Sequence, residues 1–273
     1  MSKVNLEEKD LLLARIEDAL ERCERGIPAT LSFLTPRQRR WAEASLAQRG
    51  ATDAAFFWGG YPDAERVTLF LLPEYLLICL SRIPSLCEPA EVLSLLEDSE
   101  REVTSLRITG SGFRTLCHRD YLGSILNLGL ERDVLGDIAV QNEHEAVLFC
   151  TSTVARFLLE SLERVANDKV TCRLYSPDDT FTDGRRYQPI SDTVASPRLD
   201  CVVAALTNLS REAAQNAIRS GLVELEYEVE ERTDLSLTPP AVLSVRGYGR
   251  FVLRSFDGET RKGRLRLRAD KLI

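Results

Sequence analysis

The sequence RLDCVVAALTNLSREAAQNAIRSGLV, residues 198–223, predicts two short helices joined as a hairpin. Apolar residues recur at helical spacing in its first half: Val202, Val203, Leu206 and Leu209. Ser210 is a favourable N-cap for a second helix, because its hydroxyl can accept a bond from a free amide of the first turn. Gly221 tolerates the left-handed backbone that ends a helix. We therefore expect the helices to meet at Asn208-Leu209.

The basic side chains of this hairpin are candidates for contacts with phosphates. Arg198, Arg211 and Arg219 cannot all pack inward on two short helices. Long cationic side chains on an outer face are suited to a nucleic-acid backbone. The alternative is that they are three solvated arginines.

The end of the chain adds a second basic segment. From Arg246 onward there are nine Lys and Arg residues and three Asp and Glu residues, although the whole chain has a net charge of -7. Residues 261–268 alternate basic with apolar, which predicts a strand that buries Leu265 and Leu267 and presents its arginines on one face. A charged edge strand that resists aggregation is the alternative. The candidate RNA-binding residues are Arg198, Arg211, Arg219, Arg246, Arg250, Arg264 and Arg266.

The pattern of this region is more specific than its charge. Arg-Leu-Asp at 198–200, Ser-Arg-x-x-Ala at 210–214 and Ile-x-x-Gly-x-Val at 218–223 resemble the S4 domain, a small RNA-binding module. Residues 243–251 look like its closing strand. The sequence departs from the pattern after Val223, where the acidic stretch Glu-Leu-Glu-Tyr-Glu at 224–228 replaces the usual Asn-Gly or similar turn.

The remaining chain predicts an α+β protein with more domains. A length of 273 residues suits two or three domains. We expect a mostly helical unit over 1–65, with helices over about 6–25 and from Thr35 to Gly50. The order strand-helix-strand-strand-helix-strand over 102–175 predicts a ferredoxin-like, RRM-like domain over 66–175. Residues 176–197 have a linker composition, and 198–273 form the S4-type domain.

Base stacking on the RRM-like sheet has little support in the sequence. An RRM places exposed aromatic residues on its central strands. The corresponding strands here offer at most Phe149. This domain is therefore expected to meet RNA differently from an ordinary RRM, or to meet protein.

Several classes of function are not expected. The start of the chain is a charged helical pattern without a signal peptide, and no membrane span is predicted, so we expect a cytoplasmic protein. The seven cysteines are scattered singly, which argues against disulfides and metal sites. His118 and Asp120 open a predicted helix without the companion motifs of a kinase, so we interpret them as structural. No catalytic residue, metal or cofactor is predicted.

Three stretches together resemble the YlmH family of bacterial S4-domain proteins: 118–138, 198–223 and 244–251. The resemblance implies a non-enzymatic factor of ribosome-associated quality control that binds ribosomal RNA of the large subunit, with tRNA as a further partner. The S4-like residues carried over are Arg198, Asp200, Ser210, Arg211 and Gly221, of which Arg198 and Arg211 are the RNA contacts and the others shape the hairpin. The alternatives are an RNA-modifying enzyme with an S4 domain, or a cell-division-linked factor that binds protein through residues 1–175.

Overall fold

The protein is a mixed α+β structure, as predicted. The computed structural model describes residues 3–77, 103–176 and 178–273. The chain divides into two compact units, Ser2–Gly184 and Arg185–Ile273. No helix within the described residues has the length and apolar character needed to cross a membrane.

The first unit begins with two helices packed on a small antiparallel sheet. Its elements are α1 Lys3–Glu24, β1 Ala29–Leu34, α2 Pro36–Gln48, β2 Ala55–Trp58 and β3 Val67–Leu71. The predicted N-cap of α2 is confirmed, because Thr35 Oγ1 accepts a bond from Gln38 N at 3.3 Å and Gln38 Oε1 accepts one from Thr35 N at 2.8 Å. The core between the helices and the sheet contains Ile16, Trp41 and Leu46.

The sheet corrects one expectation for the N-terminal part. The two predicted helices are present within residues 1–65, together with strands β1 and β2, which were not predicted. The strand Val67–Leu71, expected in the RRM-like domain, pairs instead with β1 and β2 in the order β1-β3-β2. All five residues of β3 are buried, so its apolar run belongs to the centre of this sheet.

A βαββαβ domain follows in the same unit. Its elements are β4 Thr104–Gly110, α3 His118–Leu126, β5 Leu135–Asn142, β6 Glu145–Cys150, α4 Ser152–Ser161, β7 Arg164–Val165 and β8 Asp168–Leu174. The strand order β5-β6-β4-β8-β7 and the antiparallel pairings are those of a ferredoxin-like sheet with one added short strand. Helix α4 is shorter than the predicted 153–166, because the β7–β8 hairpin begins at Arg164.

One face of this sheet packs on its helices and part of the other is covered by the N-terminal elements. Phe149, the only candidate for base stacking on the central strands, is 4% exposed. Its ring packs against Tyr61 and Phe181 at centroid distances of 5.1 and 5.7 Å. Phe149 is therefore a core residue, and the central strands offer no stacking platform there.

The second unit packs two helices on one six-stranded sheet. Its elements are β9 Tyr187–Val194, α5 Leu199–Thr207, α6 Arg211–Arg219, β10 Val223–Leu225, β11 Glu228–Val229, β12 Ala241–Val245, β13 Gly249–Glu259 and β14 Leu265–Leu272. The strand order is β11-β10-β12-β13-β14-β9. Three residues of the stripe predicted for the first helix are confirmed, since Val202 and Val203 are fully buried and Leu206 is 6% exposed. Leu209 lies beyond the end of α5 and is half-buried.

The predicted linker is corrected by strand β9. Residues 187–194 pair along their whole length with β14, from Tyr187 opposite Leu272 to Val194 opposite Leu265. The polar composition of this stretch reflects its position at the sheet edge, where most side chains are exposed. The second unit thus begins well before Arg198.

The hairpin geometry agrees with the sequence. Asn208 ends α5 with a left-handed backbone at φ +56°, and Ser210 Oγ accepts a bond from Ala213 N at 3.2 Å to cap α6. Gly221 follows α6 at φ +67°. Ser210 and Gly221 therefore have the shaping roles expected of them.

Candidate nucleic-acid interface

A buried carboxylate organises the start of the helix hairpin. Asp200 has no solvent exposure. Arg198 donates to it from Nε and Nη2, both at 3.1 Å, Arg211 from Nε at 3.1 Å, and Gln215 from Nε2 at 2.7 Å. We call Asp200, Arg198, Arg211 and Gln215 the Asp200 network. It joins the first turn of α5 to α6.

The Asp200 network is charged at neutral pH. Burial by itself raises the pKa of the Asp200 carboxyl, but the hydrogen bonds from Gln215, Arg198 and Arg211 outweigh it and hold the pKa well below its usual range. The side chains of Arg198 and Arg211 are 37% and 56% exposed. Arg198 and Arg211 therefore have a structural role besides the predicted RNA contact, because each compensates a buried charge.

The depressed pKa predicts an acid-dependent contribution to stability. A group with a lowered folded-state pKa stabilises the fold above its unfolded pKa, about 4 for Asp, and that contribution is lost as pH falls through the folded pKa. We expect the stability difference between the wild type and Asp200→Asn to be largest near pH 7 and to shrink below about pH 4. Urea unfolding of the second unit at several pH values measures it, with Glu212→Gln as a control for an exposed carboxylate on α6. A difference that is constant with pH contradicts the prediction.

Arg211 and Arg264 border one groove on the second unit. The groove has a volume of about 500 Å³ and is also lined by Thr193, Ala204 and Asn208. Arg264 donates from Nε to Thr193 Oγ1 at 3.0 Å and from Nη2 to the Thr193 carbonyl, which fixes it on the edge strand β9. The structure thus brings together two residues that lie 53 positions apart in the sequence.

Arg219 and Arg246 lie in a second region, where α6 ends and the β12–β13 turn begins. Arg219 is in the last turn of α6, and Arg246 N donates to the Leu222 carbonyl at 2.9 Å just after that helix. Both side chains are exposed. Across residues 3–77, 103–176 and 178–273, neither guanidinium has an ion pair or hydrogen bond.

Arg250 and Arg266 lie on the sheet face opposite the helices. Each precedes a core residue in its strand, Phe251 at 1% and Leu267 at 1% exposure, so its own side chain points the other way. Arg250 stacks over the Tyr227 ring at 5.5 Å. The seven predicted arginines therefore occupy three separate regions rather than one face.

The βαββαβ domain holds a charged network that was not predicted from the sequence. Arg107 on β4 donates to Glu145 at 2.8 Å and to Asp179 at 3.1 Å, and Arg173 on β8 donates twice to Asp179, at 2.8 and 2.6 Å. The sequence does contain a pattern that could have predicted this network. Polar residues alternate along β8 at 169, 171 and 173, as they do along β4 at 105, 107 and 109. Strand pairing places these two rows on one face of the sheet.

The residues considered for acid–base chemistry have structural contacts. Asp120 caps α3 by accepting a bond from Cys117 N at 2.9 Å, and this bond and others from Cys117 lower its pKa. His118 lies in the same turn, and burial lowers its pKa. Within the described parts of the chain, no group of three or more His, Cys, Asp or Glu residues is arranged to hold a metal ion.

These features define a modular α+β protein: a βαββαβ domain preceded by a small helix-and-sheet layer, and a separate unit in which a helix hairpin packs on a sheet and carries arginines on several surfaces. A family model described as "Putative RNA-binding domain in YlmH" matches residues 97–178, the range of the βαββαβ domain. The curated "Ribosome-associated protein quality control protein P2" of Bacillus subtilis (strain 168) is 30% identical over 235 residues, which cover 86% of this chain and 84% of that relative. The chain belongs to the YlmH family.

A solved structure is also similar. "Cell division protein ylmH from Streptococcus pneumoniae" matches with a TM-score of 0.45 and 20% sequence identity, over 64% of this chain and 93% of that one.

Proposed function

We propose that this protein is a non-enzymatic, RNA-binding factor of ribosome-associated quality control, which acts in the cytoplasm on the large ribosomal subunit. The name of the B. subtilis relative and the description of the matched RNA-binding domain support the general role. Ribosomal RNA is the proposed ligand and tRNA a further partner. The S4-type hairpin is the proposed element that contacts RNA.

The observation that carries the proposal is the exposed, unpaired state of Arg219 and Arg246 where α6 ends. Among the described residues, no carboxylate or other acceptor binds either guanidinium, so binding a phosphate there breaks no internal contact. Arg198 and Arg211 also present part of each guanidinium to solvent, while Asp200 fixes their position. A fixed arginine loses less side-chain entropy on binding than a free one.

Ribosome co-sedimentation across a salt series tests this function. We expect the intact protein to sediment with stalled large subunits at low salt, and Arg219→Ala/Arg246→Ala to bind more weakly, with a slope of log affinity against log salt reduced by about 2. These two arginines are cleaner probes than Arg198 and Arg211, since their removal leaves the Asp200 network intact.

The matched control is Arg15→Ala/Arg156→Ala, which removes the same charge from exposed positions on α1 and α4. It should sediment like the intact protein. If the intact protein stays in the supernatant at low salt, or if both double variants sediment equally, the proposed role of the C-terminal unit is wrong.

A further inference from the structure

The βαββαβ domain has a basic groove beside the β7–β8 edge of its sheet. The groove has a volume of about 390 Å³ and lies on the outer face, opposite α3 and α4. Its polar lining consists of Thr109, Ser111, Lys169, Thr171 and Arg173. Hydroxyl and cationic groups dominate, and both kinds bind phosphate oxygens. We call it the β8 groove.

The cations of the β8 groove are accessible. Lys169 is exposed, and its ammonium group has no ion pair or hydrogen bond within the described residues. Arg173 is 48% exposed on its side chain and is held in place by Asp179. Arg164 lies directly opposite Lys169 on β7, so it extends the same basic row.

Two carboxylates share this face and limit its charge. Asp179 binds both Arg173 and Arg107, and Glu145 binds Arg107. Their side chains are only 13% and 21% exposed, and both are engaged with these arginines. The buried Asp168, which binds Ser111 of the groove, is a third carboxylate, so Arg164, Lys169, Arg173 and Arg107 exceed the carboxylates by one charge. Within the described residues, neither Lys169 nor Arg164 pairs with a carboxylate.

The loop that contributes Ser111 to the groove also carries an exposed aromatic residue. Phe113 is 84% exposed, in the loop that leaves β4. The loop is fixed, because the buried Asp168 accepts bonds from Ser111 N at 3.1 Å and from Ser111 Oγ, and Ser111 Oγ accepts one from Phe113 N at 3.3 Å. Phe113 is two residues beyond Ser111 of the groove, so their Cα atoms are at most about 7 Å apart. A solvent-exposed ring on a loop whose backbone is held close to the groove fits a base that stacks while its phosphate is bound.

We propose that the β8 groove binds the phosphates of an unpaired RNA segment and that Phe113 stacks on one of its bases. This inference deepens the RNA-binding function proposed above and rests on it. Because Phe149 on the central strand is covered by Tyr61 and Phe181, RNA meets this sheet at its edge instead of across its centre. Stacking on Phe113 needs an unpaired base, so the proposed ligand is a short single-stranded stretch rather than a duplex.

Fluorescence anisotropy of the full chain with a labelled twelve-nucleotide oligouridylate tests the groove. We expect Lys169→Glu to weaken binding by about tenfold or more and to reduce its salt dependence. Phe113→Ala should weaken binding by about tenfold with little change in salt dependence, because stacking is not ionic. The matched controls are Arg156→Glu and Phe157→Ala, whose side chains are exposed on α4 on the other side of the sheet. Both controls should bind within about twofold of the intact protein.

The outcomes separate this inference from the proposed function. If Lys169→Glu binds like Arg156→Glu, the groove does not hold phosphate, and if Phe113→Ala binds like Phe157→Ala, the stacked base is wrong. Should either happen while Arg219→Ala/Arg246→Ala still weakens ribosome sedimentation, the proposed function stands without the groove. An intact chain that binds neither the oligonucleotide nor the large subunit overturns both. Equal affinity for an oligouridylate and a blunt RNA duplex contradicts the choice of a single-stranded ligand.

Discussion

Replacing Arg66 by Ala is expected to lower the free energy of unfolding of the first unit by about 3–5 kcal/mol. Arg66 is 9% exposed and donates to three main-chain carbonyls: Leu135 at 2.7 Å, Phe33 at 2.9 Å and Arg132 at 2.8 Å. Burial lowers the pKa of Arg66 to about 10, so it remains protonated at neutral pH. Truncation leaves these acceptors without their donor and opens a cavity.

Asp137 completes the same connection between the N-terminal layer and the βαββαβ domain. Its carboxylate accepts bonds from Tyr61 Oη at 2.8 Å, Glu65 N at 2.7 Å and Arg66 N at 3.2 Å. Asp137→Asn keeps the shape but loses the charge, so we expect a smaller loss, about 1–3 kcal/mol. The connection thus depends on two charged side chains, Arg66 and Asp137, which are about 70 residues apart in the sequence.

Unfolding in guanidinium chloride, followed by tryptophan fluorescence, measures the loss of stability in Arg66→Ala and in Asp137→Asn. The two tryptophans, Trp41 and Trp58, lie in the first unit and report on it alone. Arg25→Ala is the control, because Arg25 is 72% exposed on its side chain and, within the part of the chain that the structure describes, pairs with Glu21 alone across one helical turn. Its effect should be at most about 0.5 kcal/mol. An Arg66→Ala protein as stable as Arg25→Ala would show that the buried guanidinium contributes nothing.

Removing both arginines of the Asp200 network is expected to destabilise the second unit by about 3–5 kcal/mol, because it leaves a buried carboxylate without compensating charge. Adding Asp200→Ala to this double variant tests the charge argument directly. Arg198→Ala/Arg211→Ala/Asp200→Ala should be more stable than the double variant, since the uncompensated charge is gone. A gain in stability when the Asp200 carboxylate is removed from the double variant is the result expected from its desolvation penalty.

Hydrogen exchange of the amides in α5 and α6 measures this, because tryptophan fluorescence does not report on the second unit. Arg219→Ala/Arg246→Ala is the matched control, with the same loss of two arginines and, among the residues described, no buried partner. It should leave the exchange rates almost unchanged. A triple variant that exchanges faster than the double variant would contradict the charge argument and assign the stabilisation to packing.

This result also bears on how RNA binding is tested. A loss of binding in Arg198→Ala/Arg211→Ala would not distinguish a missing phosphate contact from an unfolded hairpin. The triple variant does distinguish them, provided that it folds, since it lacks the arginines without the buried charge. Lost binding in a folded triple variant would assign an RNA contact to Arg198 or Arg211.

Elements with strong local signals were predictable from the amino-acid sequence alone. The helix hairpin at 199–219, with its cap at Ser210 and its stop at Gly221, follows from helical periodicity and capping chemistry that act within a few residues. The βαββαβ order was readable for the same reason. Leu265 and Leu267 were correctly assigned to the inner face, because alternation along a strand is also local.

Only the tertiary structure decided what these elements pack against. Strand β9 has a linker-like composition and becomes a strand through its pairing with β14. Phe149 is enclosed by Tyr61, which lies 88 positions earlier, and Asp200 is shared by arginines on two helices. Such contacts depend on pairing and burial between distant segments, and charge or periodicity in a single segment does not encode them. The tertiary structure thus divides the arginines into those that compensate Asp200 and those, such as Arg219 and Arg246, that have no ion pair or hydrogen bond within the described residues.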